Sequence, residues 1–409
     1  MASGPENSPP AGERAPAESV PPAVVPAPLP PTIWTRYSSE PARIRTGNRA
    51  RLLRDGAAAF PEMLAAIAGA KKHINLASYI FASDGTGRDF SGALAERARA
   101  GVHVNVIYDA IGSSDSAQDV FDVMTDAGVN VIEYHPIRPW RPRWGWWRRD
   151  HRKILVVDGV IGFTGGINIA DLNAPLERGG GGWRDTHVKI EGPVVADLQA
   201  SFIAVWRRAG GRRLHKRDYL PSLVHVGATP ARVVGNTLLW NRWSIRRAIL
   251  AAFRAATRNI WIANAYFVPD AAIVGELIRA RGRGVDVRIM VPRKSDVRVV
   301  AYASRNRYQW LLDEGIRIFE WTGPMLHAKT IVVDGVWSGV GTFNFDRWSL
   351  VNNLEVTVNL FDPAVAVELE RMFIEDQARC VEVTREAWLR RAGYERMLES
   401  LAGLLSPWL

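Results

Sequence analysis

Two histidines and two lysines recur in this chain at one fixed spacing. His151-Arg152-Lys153 is followed by Asp158, Gly165, Gly166 and Asn168, and His327-Ala328-Lys329 by Asp334, Gly341, Thr342 and Asn344. Both copies read H-x-K-x4-D-x6-G-[GT]-x-N. A single H-x-K says nothing, but two copies agreeing at every defined position mark a duplicated unit, each supplying half of a site. An imidazole attacks an electrophilic centre or carries a proton, and an ammonium group neutralises anionic oxygens. A phosphodiester needs all of these: a nucleophile, a proton donor for the leaving alcohol, and positive charge on the non-bridging oxygens. Two His and two Lys that converge supply them without a metal. No Cys/His/carboxylate group has metal-ligand spacing, so no metal or other cofactor is expected. Asn168 and Asn344 are candidate hydrogen-bond donors to the phosphate. Each motif reads as a buried strand with a loop mouth. Alternate side chains of an extended segment share a face, so His151 and Lys153 point the same way. Asp158 and Asp334 fall on the opposite face and read as structural supports, not as acids.

This repeated pattern resembles the signature of the phospholipase D superfamily, which places two such motifs in one active site. The resemblance implies a motif set of His151, Lys153, Asp158, His327, Lys329 and Asp334. It also implies His151 as nucleophile, forming a phosphohistidine, and His327 as acid and then base; the sequence itself does not distinguish the two. An attacking imidazole needs a fixed tautomer, which a carboxylate on its other nitrogen provides. In the superfamily an acidic residue downstream of the histidine does this, so Glu355 is expected to serve His327, and Asp185 to serve His151. Gly166 and Thr342 stand where serine is common, so one hydroxyl donor is lost and Thr342 keeps the other. His187 is expected to be a half-buried strand residue.

The flanking segments alternate between helical and extended spacing, as in an α/β domain. In the first half, helices are expected over residues 57–70, 88–100 and 118–127, with strands over 73–81, 102–108 and 129–134. The second half repeats the plan, with helices over 244–256, 271–281 and 299–314 and strands over 259–265, 285–291 and 316–320. Tyr79-Ile80-Phe81 matches Tyr266-Phe267-Val268, and Gly101-Val102 matches Gly284-Val285. With the resemblance, this implies two similar α/β/α sandwich domains, 35–222 and 223–409, packed as a pseudo-twofold pair with the active site between them. Residues 1–34 are rich in Pro, Ala, Ser and Glu and are expected to be a disordered tail. Residues 363–394 read as mostly helical. The apolar end, residues 401–409, is expected to pack on the body, with contact to a bilayer as the alternative.

The net charge of +10 favours anionic partners: acidic lipid headgroups, nucleic acid or phosphate substrates. No apolar run is long enough to span a membrane, and no signal peptide is recognisable, so any membrane contact is expected to be peripheral. Cys380, the only cysteine, excludes an intrachain disulfide and suits the cytosol. Just before His151, residues 138–149 interleave Trp with Arg. Such a stretch suits an anionic bilayer surface, with packing or nucleic acid as the alternatives. Trp144, Trp146 and Trp147 are therefore candidate substrate or membrane contacts.

Within the superfamily, the chain most resembles bacterial cardiolipin synthases. The matching segments include Tyr108-Asp109-Ala110-Ile111-Gly112-Ser113, Trp183-Arg184-Asp185-Thr186-His187, Tyr266-Phe267-Val268-Pro269-Asp270, and Ser349 with Asn353 and Glu355. That resemblance implies transfer of a phosphatidyl group from one phosphatidylglycerol to a hydroxyl of another, at the inner face of the cell membrane. Hydrolysis by a phospholipase D is one alternative. A metal-independent nuclease is another, with nucleic acid the less favoured partner.

Overall fold

The computed structural model of the chain describes residues 29–136, 147–222, 224–237 and 241–405. Among the described residues, seven strands lie in the first half: β1 (Arg45–Arg54), β2 (His73–Ser78), β3 (His103–Asp109), β4 (Asn130–Tyr134), β5 (Ile154–Val157), β6 (Ile161–Gly165) and β7 (Thr186–Glu191). Eight follow in the second: β8 (Thr229–Gly235), β9 (Asn259–Asn264), β10 (Asp286–Pro292), β11 (Arg317–Trp321), β12 (Lys329–Val333), β13 (Trp337–Gly341), β14 (Val356–Leu360) and β15 (Cys380–Glu382). The hydrogen-bonded order is β15-β11-β10-β9-β12-β13-β14-β8-β1-β7-β6-β5-β2-β3-β4. Read outward from the antiparallel β8/β1 pair, the two halves have the same order, and β15 is added at one edge. The duplication seen in the motifs is thus a duplication of topology.

Strand alternation sorts apolar side chains into separate cores. Leu155 and Val157 of β5 face an outer core built with Phe60, Met63 and Leu94 of the flanking helices. Ile154 and Val156 face a second core shared by both halves. That shared core holds Val195, Phe202 and Trp206 of the helix Val195–Arg208 together with Val356, Leu369 and Met372 from the second half. Each half is therefore helix, sheet, helix, and the inner helices join the halves.

Three expectations change. The helix Pro31–Trp34 lies inside the expected tail, and Trp34 is buried against Phe361. Trp34 and Tyr37 also join the core of the second half, not that of the first. Residues 1–28 lie outside the described residues. The expected helix 299–314 is two helices, Arg298–Arg305 and Tyr308–Asp313. The mostly helical region 363–394 contains β15, which pairs with β11. Among the described residues no helix is long and apolar enough to cross a membrane.

Candidate active site

Each motif runs from a structural aspartate at one end of a strand to a histidine beyond the other. Asp158 and Asp334 have φ of 53° and 56° and are followed by Gly159 and Gly335, also at positive φ. Such paired left-handed residues make tight hairpin turns. Asp158 accepts hydrogen bonds from the backbone N–H groups of Lys71, Lys72 and His73 at 2.7–2.9 Å. Asp334 accepts from the N–H groups of Thr257, Arg258 and Asn259 and from the Tyr37 hydroxyl. Both aspartates thus tie the start of a neighbouring strand to the motif hairpin, away from the histidine end. They belong to the motif but not to the reacting group. Asp334→Ala is accordingly expected to lower unfolding stability by about 2–4 kcal/mol, because several charge-accepting bonds are lost. Activity per folded molecule should stay near that of the parent, as measured by denaturant titration and turnover in parallel.

At the other end, strand geometry stops before the histidines: β5 begins at Ile154 and β12 at Lys329. The mouths are fixed instead by bridges between the halves. Asp150 pairs with Leu354, with His151 N–H donating to Leu354 O (3.1 Å) and Leu354 N–H to Arg149 O (2.8 Å). Leu326 pairs with Arg184, with His327 N–H donating to Arg184 O (2.7 Å) and Arg184 N–H to Met325 O (2.9 Å). Buried ion pairs brace both bridges: Arg149 with Asp109, Arg152 with Asp150, and Arg184 with Asp376.

These bridges correct the expected pairing of acids with histidines. Leu354 immediately precedes Glu355, and Arg184 immediately precedes Asp185. Each bridge therefore delivers a carboxylate from one half to the imidazole of the other. His151 Nδ1–H donates to Glu355 at 3.0 and 3.1 Å, and His327 Nδ1–H to Asp185 Oδ2 at 2.7 Å. An ionised carboxylate only accepts, so both rings carry hydrogen on Nδ1, and Nε2 is left for chemistry. Thr342 Oγ1 donates to Glu355 in turn, and Asn353 reaches the same carboxylate. On the other side Gly166 has a spatial reason: a Cβ there would sit 2.1 Å from Asp185 Oδ1.

Both imidazoles line one cavity of about 440 Å³, together with Asn168 and Asn344. Lys153 Nζ donates to His151 O at 2.9 Å, and Lys329 Nζ to His327 O. Asn168 Oδ1 accepts from Ile80 N–H, whereas the buried Asn344 Oδ1 has no hydrogen-bond partner among the described residues. Sequence reasoning missed several lining residues. Tyr79 stands edge-on to His151, with ring centroids 4.8 Å apart, and Trp183 lies 5.2 Å from the His327 ring. Tyr266 donates to Asp296 over the cavity. Tyr79 and Tyr266 are equivalent positions of the duplicated segments, a signal available in the sequence; Asp296, Asp346 and Trp348 carried none. His187 is fully buried rather than half-buried, accepts from Ile167 N–H, and is pushed down to about 4 by burial. Trp144 and Trp146 lie outside the described residues, and Trp147 is partly buried.

Burial sets the electrostatics. It lowers Lys153 to about 7, with the charge of Lys329 adding to the effect, and it lowers Lys329 to about 8. Burial and the two lysines hold His327 well below the usual imidazole range, and burial lowers His151 too. Burial raises Asp185 to about 6 and Asp346 to about 7. The cavity thus disfavours positive charge on its lysines and histidines until an anion arrives to stabilise it. Binding of a phosphodiester at pH 8 is therefore expected to take up about one proton per site, because both lysine pKa values rise towards their ordinary range. Calorimetric titration in buffers of different ionisation enthalpy measures this. Uptake should shrink as the pH falls below 7, where the free lysines are already charged.

Comparison with known proteins bears on the family and the fold. A family model described as cardiolipin synthase, PLD-like domain, matches residues 63–206 and again residues 249–377. The chain belongs to the cardiolipin synthase family of phospholipase D-like proteins. It is 36% identical over 379 residues to a cardiolipin synthase of Geobacillus sp. (strain WCH70), covering 91% of this chain and 74% of that protein. Against the cardiolipin synthase of Halalkalibacterium halodurans, identity is 34% over 379 residues, with the same coverage. Among solved structures, phosphatidylserine synthase from Haemophilus influenzae matches with a TM-score of 0.66 at 15% identity, over 88% of this chain and 95% of that one. Polyphosphate kinase from Porphyromonas gingivalis matches at 0.55 and 14% identity, over 89% of this chain and 53% of that one. At such identities these two likenesses concern the fold alone. The family's two matched regions are the two halves that bring His151 and His327 to one cavity.

Proposed function

We propose that the chain is a phosphatidyltransferase that makes cardiolipin from two molecules of phosphatidylglycerol. The observation that carries this reading is the single cavity bounded by two imidazoles, each held in one tautomer by a carboxylate of the opposite half. In the first step His151 Nε2 attacks the phosphorus of one phosphatidylglycerol, and the bond from phosphorus to the headgroup glycerol oxygen breaks. That oxygen keeps the electron pair, takes the Nε2 proton that His327 acquires once the anionic phosphate is bound, and leaves as glycerol. In the second step His327 takes the proton of a glycerol hydroxyl on the other phosphatidylglycerol. The freed oxygen attacks phosphorus, the phosphorus–nitrogen bond breaks, and His151 is restored. Lys153 and Lys329 neutralise the non-bridging oxygens, and Asn168 and Asn344 donate to them.

The reaction places the protein at an anionic bilayer, and the net charge of +10 favours that surface. We assign it to the cytoplasmic face as a peripheral protein, with Trp144, Trp146 and Trp147 among its contacts. Incubation with phosphatidylglycerol vesicles followed by mass spectrometry is the test. Cardiolipin and free glycerol are expected. Phosphatidic acid as the main product marks a phospholipase D instead, and cleavage of DNA in a parallel reaction marks a nuclease.

A further inference from the structure

The C-terminal helix Gly393–Leu404 is built inside out. Its inner face buries a carboxylate, Glu399, which is 1% exposed and held by Arg305 at 3.0 Å and Arg391 at 2.9 Å. Its outer face is apolar: Tyr394, Met397, Leu401 and Leu404 are 61%, 58%, 54% and 74% exposed, and the adjoining Leu405 is 48% exposed. Steps of three and four residues put these side chains on one stripe of a helix. The expected packing on the body holds at Ala402, which is buried, while Leu401, Leu404 and Leu405 stay exposed. Residues 406–409 lie outside the described residues. A charged inner face and an apolar outer one reverse the usual order, and a contiguous exposed apolar patch marks an interaction surface.

The position of the stripe identifies its partner. The helix packs on Arg298–Arg305, through Ala402 against Ala303 and Val300. Val297 and Val300 of that region line the reaction cavity, and Val297 is also exposed to solvent. The stripe and the mouth are therefore joined by one helix. Arg298 and Arg396 are exposed on these two helices, and Lys294 and Arg390 are exposed within four residues of their starts. A cavity of about 440 Å³ takes a headgroup and its phosphate but not four acyl chains, so the chains must stay in the bilayer while the phosphate reacts.

We propose that the outer face of helix Gly393–Leu404 is a membrane-docking surface, which lies in the interface of an anionic bilayer and sets the cavity mouth against it. The assignment of the bilayer rests on the phosphatidyl-transfer reading. Apolar side chains enter the acyl boundary while flanking arginines meet acidic headgroups.

The test is the triple variant Met397→Gln/Leu401→Gln/Leu404→Gln in the full chain. These side chains are solvent-exposed, so thermal stability should match that of the parent. Partitioning onto vesicles of phosphatidylglycerol in phosphatidylcholine is expected to fall by about 100-fold. Turnover on those vesicles should fall in step, while turnover on a short-chain phosphatidylglycerol dissolved below its micelle threshold stays unchanged. As a second measurement, Leu404→Cys carries an environment-sensitive fluorophore. Cys380, the sole native cysteine, is buried and should not compete for the label. A blue shift on the same vesicles supports insertion. Parent-like partitioning of the triple variant, or no spectral shift, overturns the proposal. So does a parent that sediments as a dimer and a variant that sediments as a monomer, because the stripe then serves a second copy. A parent that binds vesicles through the stripe but transfers no phosphatidyl group from either substrate refutes the transfer reading and leaves the docking surface standing.

Discussion

His151→Ala and His327→Ala are each expected to lower phosphatidyl transfer by at least about 10⁴-fold, the upper end for loss of a general acid or base. Both side chains are buried at the cavity wall but lie outside the strands β5 and β12, so neither change breaks a sheet ladder or empties an apolar core. The two variants should differ in what they accumulate. A phosphatidyl ester with a good leaving group needs no acid in the first step. With it, His327→Ala is expected to trap a phosphatidyl-enzyme, because no base remains to activate the acceptor hydroxyl. His151→Ala should trap nothing, since it has no nucleophile. Intact-mass measurement after acid-free quenching reads the adduct. An adduct in His151→Ala alone exchanges the two roles, and parent rates in either variant refute the shared site.

Glu355→Gln and Asp185→Asn are each expected to cost about 10³–10⁴-fold in turnover, because an amide in place of the carboxylate favours the wrong imidazole tautomer. The informative part is which ring responds. The ¹⁵N signals of His151 should change in Glu355→Gln and hold in Asp185→Asn, and those of His327 should do the reverse. The opposite pattern would falsify the crossed pairing and restore acids that serve the histidine of their own half. Rates carry the same information. Glu355→Gln added to His151→Ala should cost little more than His151→Ala alone, because the carboxylate acts through a ring that is already gone.

The groups proposed to react were legible in the chain. Two copies of H-x-K-x4-D-x6-G-[GT]-x-N name His151, Lys153, His327, Lys329 and the two asparagines without any structure. The Asp-Gly pairs at 158–159 and 334–335 announce the hairpins that follow the motif strands. Helical and extended spacing gave most elements of both halves, because those periods depend only on which face of a local segment must be buried. The departures all lie where one segment meets a distant one. Asp185 and Glu355 were recognisable as orienting acids, but spacing assigned each to the nearer histidine. The exchange is made by the backbone bridges of Asp150 to Leu354 and of Leu326 to Arg184, which exist only once the halves dock. Trp34 ends the Pro-rich segment 1–34 and Tyr37 opens the expected first domain, yet both pack in the core of the second half. The last helix, Gly393–Leu404, has apolar residues at steps of three and four that the sequence reading passed over. Which of its faces turns inward was decided by Arg305 and Arg391, whose charges bury Glu399 and leave the leucines outside. Local periodicity is a property of neighbouring residues, whereas pairing and orientation depend on the complementary surface, and only the tertiary structure supplies that.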